Sequence, residues 1–317
     1  MNHPAIRKDA VAVITGAAVG IGYAIAYRAA AEGMKVVIFD RDEKALNTAT
    51  RMLLNEFPGL KLLAISGDVT SEADLHSLYE QSCEFGEVSL LVNNAAVIQG
   101  AGPWSGLGKW RKLMDINFWS ALTLQSLFVE TMFSQSGAAA IVNLGSKEGI
   151  TTPPGNAAYS VSKAAIKVLT EQLAHELREK VGDRISAHLL IPGYTFTPMN
   201  FPGMTNTTEK PASPWTPSQV VQRLFDGMAA GDFYIFCEDN ESTWGLDQRR
   251  MQWAAADIGK VLGLHRRRNQ VIHSWCCALA RIRSSFPRGL ITNRQRKRCL
   301  PCGSRCAAIS NDQPTLH

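Results

Sequence analysis

Short apolar runs alternate with longer amphipathic stretches through the body of the chain. The runs fall at residues 10–14, 35–39, 60–65, 89–92, 138–144, 184–190 and 232–236. Most lack strict polar alternation, which marks strands covered on both faces. The segments between them carry helical periodicity. Over residues 157–180, Ala165, Val168, Leu169 and then Leu173 or Ala174 recur at spacings of three and four. This rhythm predicts an α/β fold: an open, doubly wound, mostly parallel sheet with helices on both faces. Residues 200–217 break the rhythm with Pro, Thr and Asn around Phe201, Met204 and Trp215. That stretch reads either as a surface loop or as a lid over a substrate site.

Composition divides the chain. It has 317 residues and a net charge of +5, yet from Lys260 onward there are 12 Lys/Arg and one acid, Asp312, leaving residues 1–259 at −6. We therefore expect a domain over 1–262 and a basic, disordered tail over 263–317. Cys83 and Cys237 are the cysteines of the body, whereas five lie in the tail, a body usage that suits a reducing compartment. No run of 18 apolar residues occurs, so no membrane span is expected. The N-terminal apolar run is too short for a secretory core, and a cytoplasmic protein is expected.

In the tail, Arg266-Arg267-Arg268 and Arg296-Lys297-Arg298 are basic clusters of the kind that bind nucleic acid or serve as a nuclear address. Cys299, Cys302 and Cys306, with His265, His273, Cys276 and Cys277 nearby, resemble half a zinc site without its second ligand pair. A disordered appendage, or translation of an altered frame or retained intron, explains the composition better. No metal is expected in the body, and nucleic acid is not the expected partner.

The first strand runs into TGAAVGIG. Its glycines, Gly16, Gly20 and Gly22, permit a tight turn and let backbone N–H groups of Thr15, Gly16 and Ile21 approach a pyrophosphate at a helix N-terminus. Asp40 closes the second strand, where a carboxylate accepts both ribose hydroxyls of an adenosine and repels a 2′-phosphate. This favours NAD(H). Arg41 leaves NADP(H) open, since its guanidinium can turn to a phosphate. Asp68-Val69 follows the third strand and serves either an adenine amino group or a turn. Asn93-Asn94-Ala95-Ala96 ends the fourth strand, where Asn94 and Ala95 combine cross-strand hydrogen bonding with room for a cofactor. Pro192-Gly193, Thr195 and Thr197 follow the sixth strand as candidates for gripping a nicotinamide carboxamide.

Tyr159 and Lys163 share one helix face at i, i+4. A phenol with a pKa near 10 is a poor base at neutrality, and an adjacent ammonium brings it down. Ser146, after the fifth strand, is placed to hydrogen-bond the reacting oxygen while Tyr159 moves the proton. Asn117 in MDINFW is a candidate to hold the water linking Lys163 to solvent. Any one of these motifs alone reads equally well as a turn, a cap or a solvated helix face.

Taken together, TGAAVGIG, Asp40, Asp68-Val69, NNAA, Asn117, Ser146, YSVSK and PGYTFT resemble the short-chain dehydrogenase/reductase family in its single-domain form, in order and approximate spacing over about residues 8–260. The resemblance implies a Rossmann-type sheet of seven parallel strands, an Asn117-Ser146-Tyr159-Lys163 tetrad, hydride transfer with a nicotinamide dinucleotide, and a homodimer or homotetramer. The sequence departs from the family's usual pattern at Gly145, at Ala96 and in Lys147-Glu148 with the Pro153-Pro154-Gly155-Asn156 loop, which leaves the substrate open. The expected substrate is a small, fairly apolar ketone or secondary alcohol lined by Phe196, Met199, Phe201 and Trp215. Two rival readings stand beside this one: a catalytically silent dinucleotide sensor or scaffold of the same fold, and a nucleic-acid-associated protein acting through its tail.

Overall fold

The computed structural model describes residues 2–205 and 207–259. Every apolar run becomes a strand: β1 (Val11–Thr15), β2 (Lys35–Asp40), β3 (Leu62–Ser66), β4 (Val88–Asn93), β5 (Ala139–Leu144), β6 (Ile185–Ile191) and β7 (Tyr234–Phe236). They form one sheet in the order β3-β2-β1-β4-β5-β6-β7, parallel at each pairing. All positions of β1, β4 and β5 are buried. That accounts for the missing polar alternation, since both faces of these strands are covered. The winding reverses between β1 and β4, and a crevice opens at the carboxyl ends of strands at such a switch point.

Among the described residues the helices are α1 (Gly20–Ala31), α2 (Glu43–Glu56), α3 (Glu72–Phe85), α4 (Leu107–Met114), α5 (Ser120–Ser134), α6 (Glu148–Thr151), α7 (Ala157–Val181), α8 (Pro217–Ala230) and α9 (Trp244–Gly259). Neighbouring strand residues face opposite layers. Ala12, Ile14 and Ile38 pack with Ile25, Ala26 and Ala29 of α1 and Leu224 and Phe225 of α8. Val11, Val13 and Phe39 pack with Leu78 of α3, Leu124 and Phe128 of α5 and Leu177 of α7. Fully burying one such side chain contributes about 1.5–3 kcal/mol, so the two layers hold the sheet rigid beneath the crevice. No helix among the described residues is long and apolar enough to cross a membrane.

The helix starts differ in a way that matters at the site. Asp42 and Ser71 cap α2 and α3 with their side chains, and Thr216 with Gln219 forms a capping box on α8. By contrast, α1 and α7 have no side-chain cap. The first N–H groups of a helix without a cap are left for water or a ligand. The irregular segment 200–217 is closed at its neck: Trp215 N–H donates to the Tyr194 carbonyl at 2.9 Å and Phe196 N–H to the Trp215 carbonyl at 2.8 Å. The residues expected to form the tail lie outside the described residues, as do its basic clusters and cysteines.

Candidate active site

The glycine turn is built against β4. Gly16 and Gly20 have φ of +63° and +61°, the left-handed region that glycine occupies without strain. A Cβ on Gly22 would lie 2.2 Å from the Gly16 carbonyl oxygen and 2.5 Å from Asn94 Nδ2. The Asn94 amide fills that space, donating to the carbonyls of Thr15 at 2.8 Å and Gly16 at 2.9 Å. Thr15 Oγ1 in turn accepts from the N–H groups of Asn94 and Ala95, both at 3.1 Å. The NNAA segment thus ties β4 to the turn, as a cross-strand role for its asparagines requires.

Asp40 serves the same turn. One carboxylate oxygen accepts from Ala18 N–H at 3.1 Å and the other from Asp42 N–H at 3.1 Å. Each oxygen keeps a lone pair for a hydroxyl donor. Asp68 is engaged locally, accepting from Thr70 N–H at 2.9 Å and the Thr70 hydroxyl at 2.8 Å. The Thr70 N–H does most to hold its carboxyl below the usual range, against a burial cost and with help from the Thr70 hydroxyl, Arg41 and Lys112. Arg41 itself is exposed. Ile21 and Val69 are half-buried and pack against the two apolar layers.

The segment after β6 reaches the glycine turn from the other side. A Cβ on Gly20 would sit 3.2 Å from the Thr197 methyl. Thr195 is buried and its hydroxyl donates to the Gly193 carbonyl at 3.0 Å. Phe196 and Phe201 stack edge to face at 4.8 Å, and Met199 is exposed. Trp215, expected in the same apolar lining, is half-buried and packs on the layer of α1 and α8. It anchors the returning end of the loop, because its backbone is already paired to 194–196.

The four proposed catalytic residues converge on the ends of β4 and β5. Tyr159 and Lys163 are buried, one turn apart on α7. Ser146 lies within side-chain hydrogen-bonding reach of Tyr159, and its Oγ accepts from Glu148 N–H at 3.2 Å. Lys163 Nζ donates to the Leu144 carbonyl at 2.8 Å and stands 5.7 Å from the centre of the Tyr159 ring. The expected lowering of the phenol is reversed here. Burial pushes Tyr159 up to about 12, with the Ser146 hydrogen bond opposing and Glu148 adding to the rise. Burial likewise brings Lys163 down to about 8. Each group loses water before it gains a charged partner, and desolvation penalises the charged form of both.

Asn117 lies in a π-helical turn, Asp115–Trp119, between α4 and α5. Its amide clamps the segment after β4: Oδ1 accepts from Val97 N–H at 2.8 Å and Nδ2 donates to the Val97 carbonyl at 3.0 Å and to Ser162 Oγ at 3.1 Å. Such single π turns commonly occur at functional sites. With its side chain committed, Asn117 holds the approach to α7 in place.

Three features escaped the sequence. Asn143 on β5 accepts from Asn93 Nδ2 at 2.8 Å, and its own Nδ2 donates to Thr170 of α7 at 3.0 Å and to Gln125 of α5 at 3.4 Å. An asparagine inside the apolar run AIVNLG was the available signal. Gly149 is the second: a Cβ there would lie 2.6 Å from the Lys163 carbonyl carbon, so α6 seats directly on the backbone of α7. The third is a buried ion cluster. Lys147 Nζ lies 2.6 Å from Asp247 and 3.4 Å from Asp239, and Arg250 lies 3.3 Å from Asp247. Asp239 also accepts from Tyr194 N–H at 3.3 Å. It therefore ties the segment after β6 to the residue following Ser146, and nothing in the spacing of 147, 239 and 247 announces that contact.

A parallel sheet that reverses its winding beside a glycine turn, with a half-buried Ser146 and a buried Tyr159 and Lys163 at the same strand ends, defines a dinucleotide-binding oxidoreductase. A family model described as short chain dehydrogenase matches residues 10–207, and the chain belongs to that family, whose members act on CH–OH groups with NAD(P). A CLA biosynthesis dehydrogenase/reductase of Lactiplantibacillus plantarum is 36% identical over 192 residues, 60% of this chain and 66% of that protein; the match thus spans just under two thirds of that relative. An NADP-dependent (R)-specific alcohol dehydrogenase of Lentilactobacillus kefiri is 30% identical over 195 residues, 61% of this chain and 75% of that one. A crystal structure of a short chain dehydrogenase/reductase from Burkholderia phymatum in complex with NAD has a TM-score of 0.72 at 29% identity, covering 81% of this chain and 96% of the other.

Proposed function

We propose that the protein interconverts a ketone and a secondary alcohol, with Tyr159 as general acid and base and a nicotinamide dinucleotide as hydride partner. The observation that carries this reading is the meeting of Ser146, Tyr159 and Lys163 at the carboxyl ends of β4 and β5, beside the glycine turn. Ser146 donates to the substrate oxygen. Tyr159, held high by burial, keeps its proton at neutral pH and gives it to that oxygen as negative charge develops. Lys163 is poised to turn from the Leu144 carbonyl and supply the positive charge that the reverse reaction needs at the phenol.

The turn fits a dinucleotide. Its glycines leave no Cβ between backbone and ligand, α1 starts without a side-chain cap, and a pyrophosphate suits such a start. Asp40 would receive the ribose hydroxyls, with the segment around Gly193, Thr195 and Thr197 facing the other end. The carboxylate of Asp40 favours NAD(H) over NADP(H), although the named relatives include one of each kind. When bound, the nicotinamide ring supplies or takes up the hydride. Tyr159→Phe is expected to lower turnover by about 10²–10⁴-fold while NADH binding, followed by fluorescence titration, stays as in the unmodified protein. Near-normal turnover in that variant removes the mechanism.

A further inference from the structure

Asp239 gathers donors from three parts of the chain. Its Oδ1 accepts from the N–H groups of Glu241 at 3.0 Å and Ser242 at 2.7 Å, which fixes the turn leading into α9. Its Oδ2 accepts from Tyr194 N–H at 3.3 Å and faces Lys147 Nζ at 3.4 Å. The carboxylate is buried, as is Asp247, which holds the same ammonium at 2.6 Å from the first turn of α9. Parting such a pair leaves an uncompensated buried charge, so its members keep their places relative to one another.

The two groups that meet on Oδ2 belong to opposite sides of the proposed reaction. Lys147 follows Ser146, and its carbonyl accepts from Ile150 N–H at 3.1 Å and Thr151 N–H at 2.9 Å, so it moves with α6 and the serine turn. Tyr194 follows Gly193 in the segment assigned above to the nicotinamide end. That segment is seated closely: a Cβ on Gly193 would lie 2.8 Å from Asp239 Oδ2 and 2.9 Å from the Glu238 carbonyl oxygen. Cys237 N–H donates to the Ile191 carbonyl at 3.0 Å and pins the approach to Asp239 against the end of β6. Two loops that flank the crevice therefore share one carboxylate oxygen. Asp239 and Asp247 lie beyond residues 10–207, the part that the family model matches, and Lys147 is among the chain's departures from the family's usual pattern.

We propose that Asp239 is a positioning residue for the nicotinamide end of the dinucleotide: through Tyr194 N–H and Lys147 it holds the segment 193–197 against the Ser146 turn. This rests on the oxidoreductase reading above and adds the element that sets one reactant's distance from the other. Asparagine cannot replace it. One of the two side-chain atoms would then be a donor only, so either the Tyr194 and Lys147 side or the Glu241 and Ser242 side loses its acceptor, and Lys147 loses a counter-charge.

The test compares dissociation constants, by titration calorimetry, for ligands with and without the reduced ring: NADH against ADP-ribose, and NADPH against 2′-phospho-ADP-ribose. It uses the unmodified protein, Asp239→Asn and Lys147→Met. In both variants affinity for the intact dinucleotide is expected to fall by about tenfold or more, the worth of one hydrogen bond to a charged group, while affinity for the ring-less ligand stays within about twofold. A merely structural role would weaken both ligands of a pair alike, since each needs the same folded glycine turn. The lysine does not touch the segment 193–197, so its variant reads the link through Asp239. Asp239→Asn, the milder change, decides the matter if Lys147→Met folds poorly. Equal losses for both ligands of a pair in Asp239→Asn, or no loss for either, overturn the positioning role alone. A split in Asp239→Asn that is absent from a Lys147→Met protein still binding the ring-less ligand overturns the link to the Ser146 turn. An unmodified protein that binds none of the four ligands counts against the oxidoreductase reading itself.

Discussion

The two ends of the crevice are made by different physics. At the glycine turn the protein works with its backbone: Gly16 and Gly22 are spaces that the Asn94 amide and neighbouring carbonyls occupy, and Asp40 holds the turn through N–H groups. At the catalytic end it works with buried side chains: Tyr159 and Lys163 are shifted in opposite directions by burial, and Lys147 lies among two carboxylates. Close approach of backbone can be met only by glycine, so the first device leaves a fixed mark in the chain. Burial of charge is met by whichever residue the fold brings near, so the shifts imposed on Tyr159 and Lys163 leave almost none, although the two residues themselves stand in plain i, i+4 spacing. The lesson is that recognition of a common cofactor is written locally, whereas tuning of the chemistry is assembled from afar.

That contrast can be strained from both ends. The largest effect is expected at Lys147→Met, which keeps the length of the side chain and removes its charge. Among the described residues, Asp239 loses its cation and Asp247 is left with Arg250, so we expect a loss of about 3–5 kcal/mol in a denaturant titration, the usual cost of breaking a buried pair from one side. A loss no larger than that of an exposed lysine would show the cluster to be decorative.

Lys163 gives the next effect. Between pH 8 and 10.5 the unfolded chain holds a proton on this residue that the folded chain has released, so stability rises with pH through that window. From about pH 7.5 to about pH 9.5 the gain is about 2 kcal/mol, and Lys163→Met should lack it. Tyr159 acts in the opposite sense, lowering stability between pH 10 and 12 because the folded chain then keeps the proton. A pH profile identical in the unmodified protein and Lys163→Met would contradict a buried, lowered ammonium.

Gly22→Ala should cost least in stability, about 1–3 kcal/mol from overpacking, yet act at the other end of the crevice. Its methyl cannot share space with the Gly16 carbonyl at 2.2 Å. The turn must open, and NADH affinity should fall by about tenfold or more, since each 1.4 kcal/mol of lost contact is tenfold. Unchanged affinity in a titration would place the dinucleotide elsewhere.

Reading the chain in order was enough for the frame. All seven strands fall where apolar runs lie, and the long helix starting at Ala157 was visible in its three-and-four spacing. The turn glycines, Ser146 and Tyr159 with Lys163 were legible because each stands at a strand end or on one helix face, positions that local geometry fixes. Trp215 packs on the layer of α1 and α8, a contact that an aromatic in a loop does not announce. Asn117 stands out in the sequence, but its clamp on Val97 depends on a π turn that spacing does not reveal.

The amino-acid sequence by itself therefore determined the sheet, its winding and which residues stand as candidates for the reacting groups, because these follow from periodicity and from conformations open only to certain residues. The tertiary structure alone decided which charges those groups feel. It seated α6 on α7 through Gly149, joined Lys147 to Asp239 and Asp247 across some hundred residues of chain, and left one oxygen of Glu148 buried without a donor. Desolvation and pairing depend on distance in space, and a linear pattern carries no measure of that distance.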